Sequence, residues 1–172
     1  MDFTIRAARD GELDGVGGLT ADVYLGDGLL TFGESDSYLA RLRDARHRAA
    51  HSEVLVAVER DAAGERLLGT VTFVGDGGAY ADIAVPGEGE FRMLAVREEG
   101  RGRGVGEALV RACLARTRAL GLARLVLSSQ SRMTAAHRLY GRLGFRRAPE
   151  RDWSPVPGME ALWAFTRETG PE

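Results

Sequence analysis

Residues 90–120 read EFRMLAV at 90–96, REEG at 97–100, RGRGVG at 101–106 and EALVRACLARTRAL at 107–120. Phe91, Met93, Leu94, Ala95 and Val96 form an apolar run of strand length. Gly100, Gly102, Gly104 and Gly106 follow at every second position. Ala108, Leu109, Ala112, Cys113 and Leu120 then recur at the spacing of an amphipathic helix. The stretch therefore predicts strand, glycine-dense turn, helix. Glycine admits positive φ and lets a ligand approach the main chain. At a helix entrance the N–H groups have no intrahelical partner, and the helix dipole adds partial positive charge. Such a turn suits a phosphate or pyrophosphate, and Arg101 and Arg103 add full charges beside it.

Two common phosphate fingerprints fail here. A dinucleotide G-x-G-x-x-G begun at Gly102 or Gly104 would put its last glycine on Glu107 or Leu109. The Walker-type loop needs a lysine, and the chain has none. R-x-x-G-x-G does fit, from Arg101 through Gly104 to Gly106. With it the sequence resembles the GNAT superfamily of N-acetyltransferases, whose [Q/R]-x-x-G-x-[G/A] turn cradles the pyrophosphate of acetyl-CoA. Ala136, Leu139, Tyr140, Gly144 and Phe145 match that family's second signature, A-x-x-L-Y-x-x-x-G-F. The likeness is specific from about Glu90 to Phe145 and topological elsewhere.

The totals are consistent with this. A chain of 172 residues, 44% hydrophobic, suits one domain over residues 1–172 with a sizeable core. A net charge of −2 argues against a nucleic-acid-binding surface over the whole molecule. No stretch has the apolar length of a membrane span, and the N-terminus has no apolar signal region. The lone Cys113 sits on the helix stripe. It reads as a buried small hydrophobe and is in keeping with a reducing cytoplasm.

In chain order, Phe3–Ala8 alternates as a strand. A helix follows from about Glu12 to Tyr24, weakened by Gly15, Gly17 and Gly18. Residues 26–33 read as a loop exposing Leu29, Leu30 and Phe32. A second helix runs from Ser35 or Asp36 to about His51. Glu53–Arg60 and Arg66–Val74 form a hairpin, and residues 75–89 a glycine-rich loop. The central strand and helix follow. Ala123–Ser129 is a strand. A helix then starts at Ser131 or Arg132 and is stopped by Gly144. Phe145–Ala148 is a short strand, Trp153 lies in a loop, Met159–Arg167 is the last strand, and 170–172 is a frayed tail. The expected fold class is α/β (α+β): a mixed twisted sheet of about seven strands flanked by four helices. Strands joined through the third and fourth helices should be parallel, and the hairpins antiparallel.

The resemblance implies the chemistry. The expected activity is acetyl transfer from acetyl-CoA to an amine acceptor, with no metal. The amides from Gly102 through Arg103, Gly104, Val105 and Gly106 to Glu107 hold the pyrophosphate, assisted by Arg101 and Arg103. The central-strand backbone at Leu94, Ala95 and Val96 pairs with the pantetheine arm, and an amide near Leu94 serves the oxyanion. Tyr140 is the general acid; as an isolated tyrosine it would read as half-buried core. Glu90 reads either as general base or as a solvated strand-end carboxylate, with Asp82, Glu88 and Glu34 behind it. Arg142 is a candidate for the 3′-phosphate. Met133 stands where many family members carry asparagine, so that side-chain contact to the cofactor is lost. His47 and His51 have a zinc-like spacing without a third ligand. His137 shares a helix face with Tyr140. Dimers are common in the family, so a homodimer is the expectation by analogy; nucleic acid and membrane are not expected partners. A non-catalytic acyl-CoA-binding module or sensor would keep the cradle without the chemistry.

Overall fold

The computed structural model describes residues 2–75 and 77–170. Asp76, within the expected 75–89 loop, and the end of the expected tail beyond Gly170 lie outside them. Seven strands form one mixed sheet in the order β1-β2-β3-β4-β5-β7-β6. They are β1 Phe3–Ala7, β2 Glu53–Asp61, β3 Gly64–Val74, β4 Glu88–Val96, β5 Arg124–Gln130, β6 Arg146–Arg147 and β7 Leu162–Glu168. The helices are α1 Leu13–Gly26, α2 Tyr38–Arg43, α3 Ala45–His51, α4 Val105–Ala119 and α5 Thr134–Arg142. The α/β class and the order of elements are as the sequence predicts. No helix among the described residues is long and apolar enough to cross a membrane.

Among the described residues five α-helices stand where four helices were expected, because the stretch from Ser35 to His51 breaks at Asp44. There the backbone leaves helical geometry (φ −89°, ψ 65°), and the Asp44 carboxylate accepts the His47 N–H at 3.1 Å, capping α3. Arg48, fully buried, sends its guanidinium back to the carbonyls of Arg41 and Leu42 at 2.6 and 2.8 Å. The end of α2 is thereby satisfied by a side chain from α3.

The chain divides into two compact units, Met1–Phe73 with Met93–Ala112, and Val74–Arg92 with Cys113–Glu172. In the first, β1 pairs antiparallel with β2, and β2 with β3. Val54, Leu55, Val56, Ala57 and Val58 of β2 are all buried, so both faces of the strand are covered. Val54, Val56 and Val58 pack with Leu13 and Val16 of α1 and Ala45 of α3. The glycines of α1 were read as weakening it. At Gly17 the reason is contact: a Cβ there would lie 1.9 Å from the Arg43 carbonyl oxygen. Leu29, expected to be exposed, is buried, whereas Phe32 is 68% exposed.

In the second unit, β4 runs parallel to β5 over three residue pairs, Glu88–Arg124 to Glu90–Val126. β5 pairs antiparallel with β7 along all seven of its residues. β6 pairs antiparallel with β7. The strands flanking α5 thus run the same way, as expected, but β7 is inserted between them. The core here is aromatic: Tyr140 lies with its ring centroid 5.8 Å from Phe91, 5.9 Å from Phe145 and 5.6 Å from Phe165.

Candidate active site

The predicted cofactor-binding residues fall in the first unit, and Glu90 and Tyr140 in the second. The seat of the glycine turn is set by β3. A Cβ on Gly69 would meet the Ala95 carbonyl oxygen at 2.9 Å, Val105 Cγ1 at 3.2 Å and Leu109 Cδ1 at 3.3 Å. Only glycine lets the first turns of α4 press that closely on the strand backbone. The buried stripe of α4 is Val105, Leu109, Val110, Cys113, Leu114 and Thr117. Leu120, read as part of the stripe, is 46% exposed, because the helix has already ended at Ala119.

Gly102 and Gly104 have φ of 73° and 80°, and a Cβ at either would point into open space. Ala108 donates its main-chain N–H to the Gly104 carbonyl at 3.0 Å. Residues 101–104 turn into α4, and the N–H groups of a helix's first turn lack intrahelical acceptors, so this entrance suits an anionic ligand. Glu107 turns its carboxylate to Arg111, 3.5 Å away. The two arginines behave differently. Arg101 is held by both Asp27 carboxylate oxygens at 3.1 and 3.0 Å. Arg103 is held by Glu59 at 2.9 Å and Asp2 at 3.0 Å. Neither carboxylate partnership was visible in the sequence; Asp27 lies 74 positions from Arg101.

Within β4, Leu94 and Val96 are half-buried and Ala95 buried. Met93, just before them, is the one non-glycine among the described residues with positive φ, 56°. A left-handed residue costs about 1–2 kcal/mol. Packing holds it there: the buried Met93 side chain clusters with Ala21 of α1 and Leu39 and Leu42 of α2.

Glu90 is not a solvated carboxylate. It is fully buried, and its Oε1 accepts the main-chain N–H groups of Asp82, Ile83 and Ala84 at 2.9, 3.0 and 3.1 Å. Its Oε2 is buried and makes no hydrogen bond with a described residue. Burial pushes its carboxyl above the ordinary glutamate value, against the pull of the Ala84 and Ile83 amides, and the Asp82 carboxylate adds to the rise. Glu88, two residues earlier, is engaged by Arg151 at 2.7 Å and Arg124 at 2.9 Å. Asp82 pairs with Arg92 at 3.0 Å, and Glu34 is exposed. Among the carboxylates weighed as base, Glu90 alone combines burial with an unoccupied oxygen.

Tyr140 is 4% exposed, and burial pushes its phenol well above the ordinary value. It stays protonated at neutral pH, as a proton donor must. His137, on the same helix face, meets Ser129 Oγ through Nε2 at 3.1 Å and stacks on Trp163 at 5.4 Å. Burial lowers its pKa. Met133 Sδ also reaches Ser129 Oγ, at 3.7 Å. Trp153 donates Nε1–H to Ser128 Oγ at 2.9 Å and bridges to Leu162, which is hairpin packing. The His47 and His51 rings lie 4.6 Å apart, tilted by 48°, and the described residues contain no metal-holding cluster. Cys113 is buried and unbridged. Arg142 is exposed at the end of α5.

The acetyltransferase (GNAT) family model matches residues 23–145, and the chain belongs to that family. No curated protein matches. Among solved structures, the chain is similar to yncA from Salmonella typhimurium, determined with acetyl-CoA, at 19% identity, TM-score 0.70, over 100% of this chain and 96% of that one. It is also similar to the PaiA N-acetyltransferase from Thermoplasma acidophilum, determined with coenzyme A, at 12% identity, TM-score 0.72, over 98% and 99%. A GNAT-family acetyltransferase from Staphylococcus aureus shares the fold at 11% identity, TM-score 0.73, over 98% and 99%. At these identities the likeness is one of fold.

Proposed function

We propose that the chain, as one functional domain over residues 1–172, transfers an acetyl group directly from acetyl-CoA to the nitrogen of an amine, in a ternary complex. The observation that carries this reading is the glycine turn leading into α4, where Gly102 and Gly104 have φ of 73° and 80° and a Cβ at either would meet nothing. Main-chain amides at such a helix entrance fit a diphosphate. Arg101 and Arg103 assist by exchanging carboxylate for phosphate. The edge of β4 at Leu94, Ala95 and Val96 takes the pantetheine amides as an added strand would. The left-handed Met93 re-aims the Leu94 amide toward the thioester oxygen, where charge develops.

An amine of pKa about 10.4 is neutral once in roughly two thousand molecules at pH 7, a deficit of about 4.6 kcal/mol. Glu90 Oε2, through a water, is the base that removes the proton after binding. A carboxyl with a raised pKa is a better proton acceptor than an ordinary one once ionised. Tyr140 returns a proton to the departing thiolate. Cys113 has no part, since it is buried. The acceptor is a small amine.

The test is coenzyme A release over a broad panel of amines and peptides, with isothermal titration of acetyl-CoA beside it. Gly104→Asp puts a side chain at φ 80° and a carboxylate in the anion site. It should weaken acetyl-CoA binding by about 100-fold or more, the loss of two or more charge-assisted hydrogen bonds. Equal affinity would remove the cradle. Tyr140→Phe should lower kcat about 10- to 100-fold with acetyl-CoA affinity unchanged; unaltered turnover would remove the acid. Binding without turnover on any amine would leave a non-catalytic acyl-CoA module.

A further inference from the structure

We propose that Arg151 is a positioning residue for Glu90: its guanidinium ties the Ile83 carbonyl to the Glu88 carboxylate and so fixes the main-chain loop whose N–H groups hold the Glu90 side chain. This rests on the proposed role of Glu90 as base.

The geometry is specific. Arg151 Nη2 donates to the Ile83 carbonyl at 2.8 Å and to Glu88 Oε1 at 2.7 Å, while Nη1 donates to Glu88 Oε2 at 3.0 Å. Glu88 Oε1 also accepts the Val85 N–H at 3.1 Å. The residues between Ile83 and Val85 are therefore held at both ends by one arginine and its carboxylate. Between the Ile83 carbonyl and the Val85 N–H lies the Ala84 amide, and the Ile83 amide adjoins that carbonyl on its other side; both grip Glu90 Oε1. Residues 81–87 have no helix or strand of their own. Without the tie, loop and amides would be free to drift, and each amide contributes only while aimed at the carboxylate.

Charge points the same way. Of the charged groups that interact with Glu90, Asp82 disfavours its ionised form and Arg151 favours it. Asp82 is itself taken by Arg92, which also donates to the Tyr80 carbonyl. Glu88 is neutralised by Arg151 and Arg124 together. Removing Arg151 loosens the amides and deletes the favourable charge, and both changes make Glu90 harder to ionise. No sequence pattern marks Arg151, which lies 63 positions from Glu88 in a short turn after β6.

The experiment is the pH profile of kcat for Arg151→Met, Arg151→Lys and Glu90→Gln, with acetyl-CoA affinity by titration and folding by circular dichroism. The acid limb of Arg151→Met should move up by about 0.5–1 pH unit with a plateau kcat about tenfold lower, and acetyl-CoA affinity should stay within twofold. Arg151→Lys keeps the charge but cannot reach three acceptors at once. It should recover part of the plateau and show a smaller upward shift; if the Met variant does not fold, that shift decides. With Glu90→Gln inactive, an acid limb unmoved in the folded Arg151 variants would overturn this inference alone. Full activity in Glu90→Gln would overturn the base and the inference together.

Discussion

Glu88 and Glu90 stand two residues apart on one strand, 2% and 0% exposed, yet their surroundings push them in opposite directions. Burial raises the pKa of Glu88 too, but the guanidiniums of Arg151 and Arg124 outweigh it and bring the carboxyl down to about 2. Glu90 has three main-chain amides and no arginine hydrogen bond, and there burial wins. Amide dipoles carry partial charges and guanidiniums whole ones. Inside a protein the difference decides whether a carboxylate is locked in its ionised form or kept within reach of a proton. A strand that needs one structural anion and one proton carrier can make both from the same residue type by choosing their partners.

The sharpest way to break this contrast is to neutralise each carboxylate in turn. Glu90→Gln should lower kcat by about 10²- to 10⁴-fold, the span of a lost general base. Its thermal midpoint at pH 8 should hold or rise. The sign follows from the raised pKa: ionised Glu90 is the costly form, that cost is absent below the ordinary value of 4.5, and it grows as pH climbs through the folded value. Marked destabilisation at pH 8 would mean that Glu90 is structural after all.

Glu88→Gln should do the reverse. It removes the shared partner of two arginines, of which Arg151 is 21% and Arg124 36% exposed. Because both can turn partly to water, the loss should be about 2 kcal/mol in urea denaturation, below the range for a fully buried pair. Activity should fall less than in Glu90→Gln; a larger fall would mean that the ion pair itself is catalytic. The smallest effect lies in acid. With its folded value near 2, Glu88 contributes stability that is complete above about 4.5 and lost as pH falls toward 2. Glu12 adds the same dependence, held near 2 by its hydrogen bonds to Arg6. The gap between wild type and Glu88→Gln should therefore narrow from pH 6 to pH 2. A gap constant with pH would assign the loss to packing rather than charge.

Local signals carried most of the fold. The glycine turn entering α4 and the stop at Gly144 are both short-range patterns, and each marks the element it predicts. The break at Asp44 was legible in principle, as an aspartate three residues before the amide that it caps. The buried Arg48 that completes it was not, because nothing in an arginine-rich stretch distinguishes the one turned inward. The proposed cradle rests on the same local glycine pattern as α4. Glu90 could be named from its place on the strand, but its state could not, since that depends on a loop six to eight residues upstream. Arg151, Asp27 and Glu59 act on their partners across 44 to 74 positions. Pairing at that distance leaves no spacing to read in one chain.

Met93 has a mechanical consequence. A residue kept in the left-handed region by the bulk of Ala21, Leu39 and Leu42 makes α1 and α2 a brace against which β4 is sprung. Thinning the brace at Leu42 would let the strand relax toward ordinary pleating. The Leu94 amide would turn with it, at a point that no ligand touches.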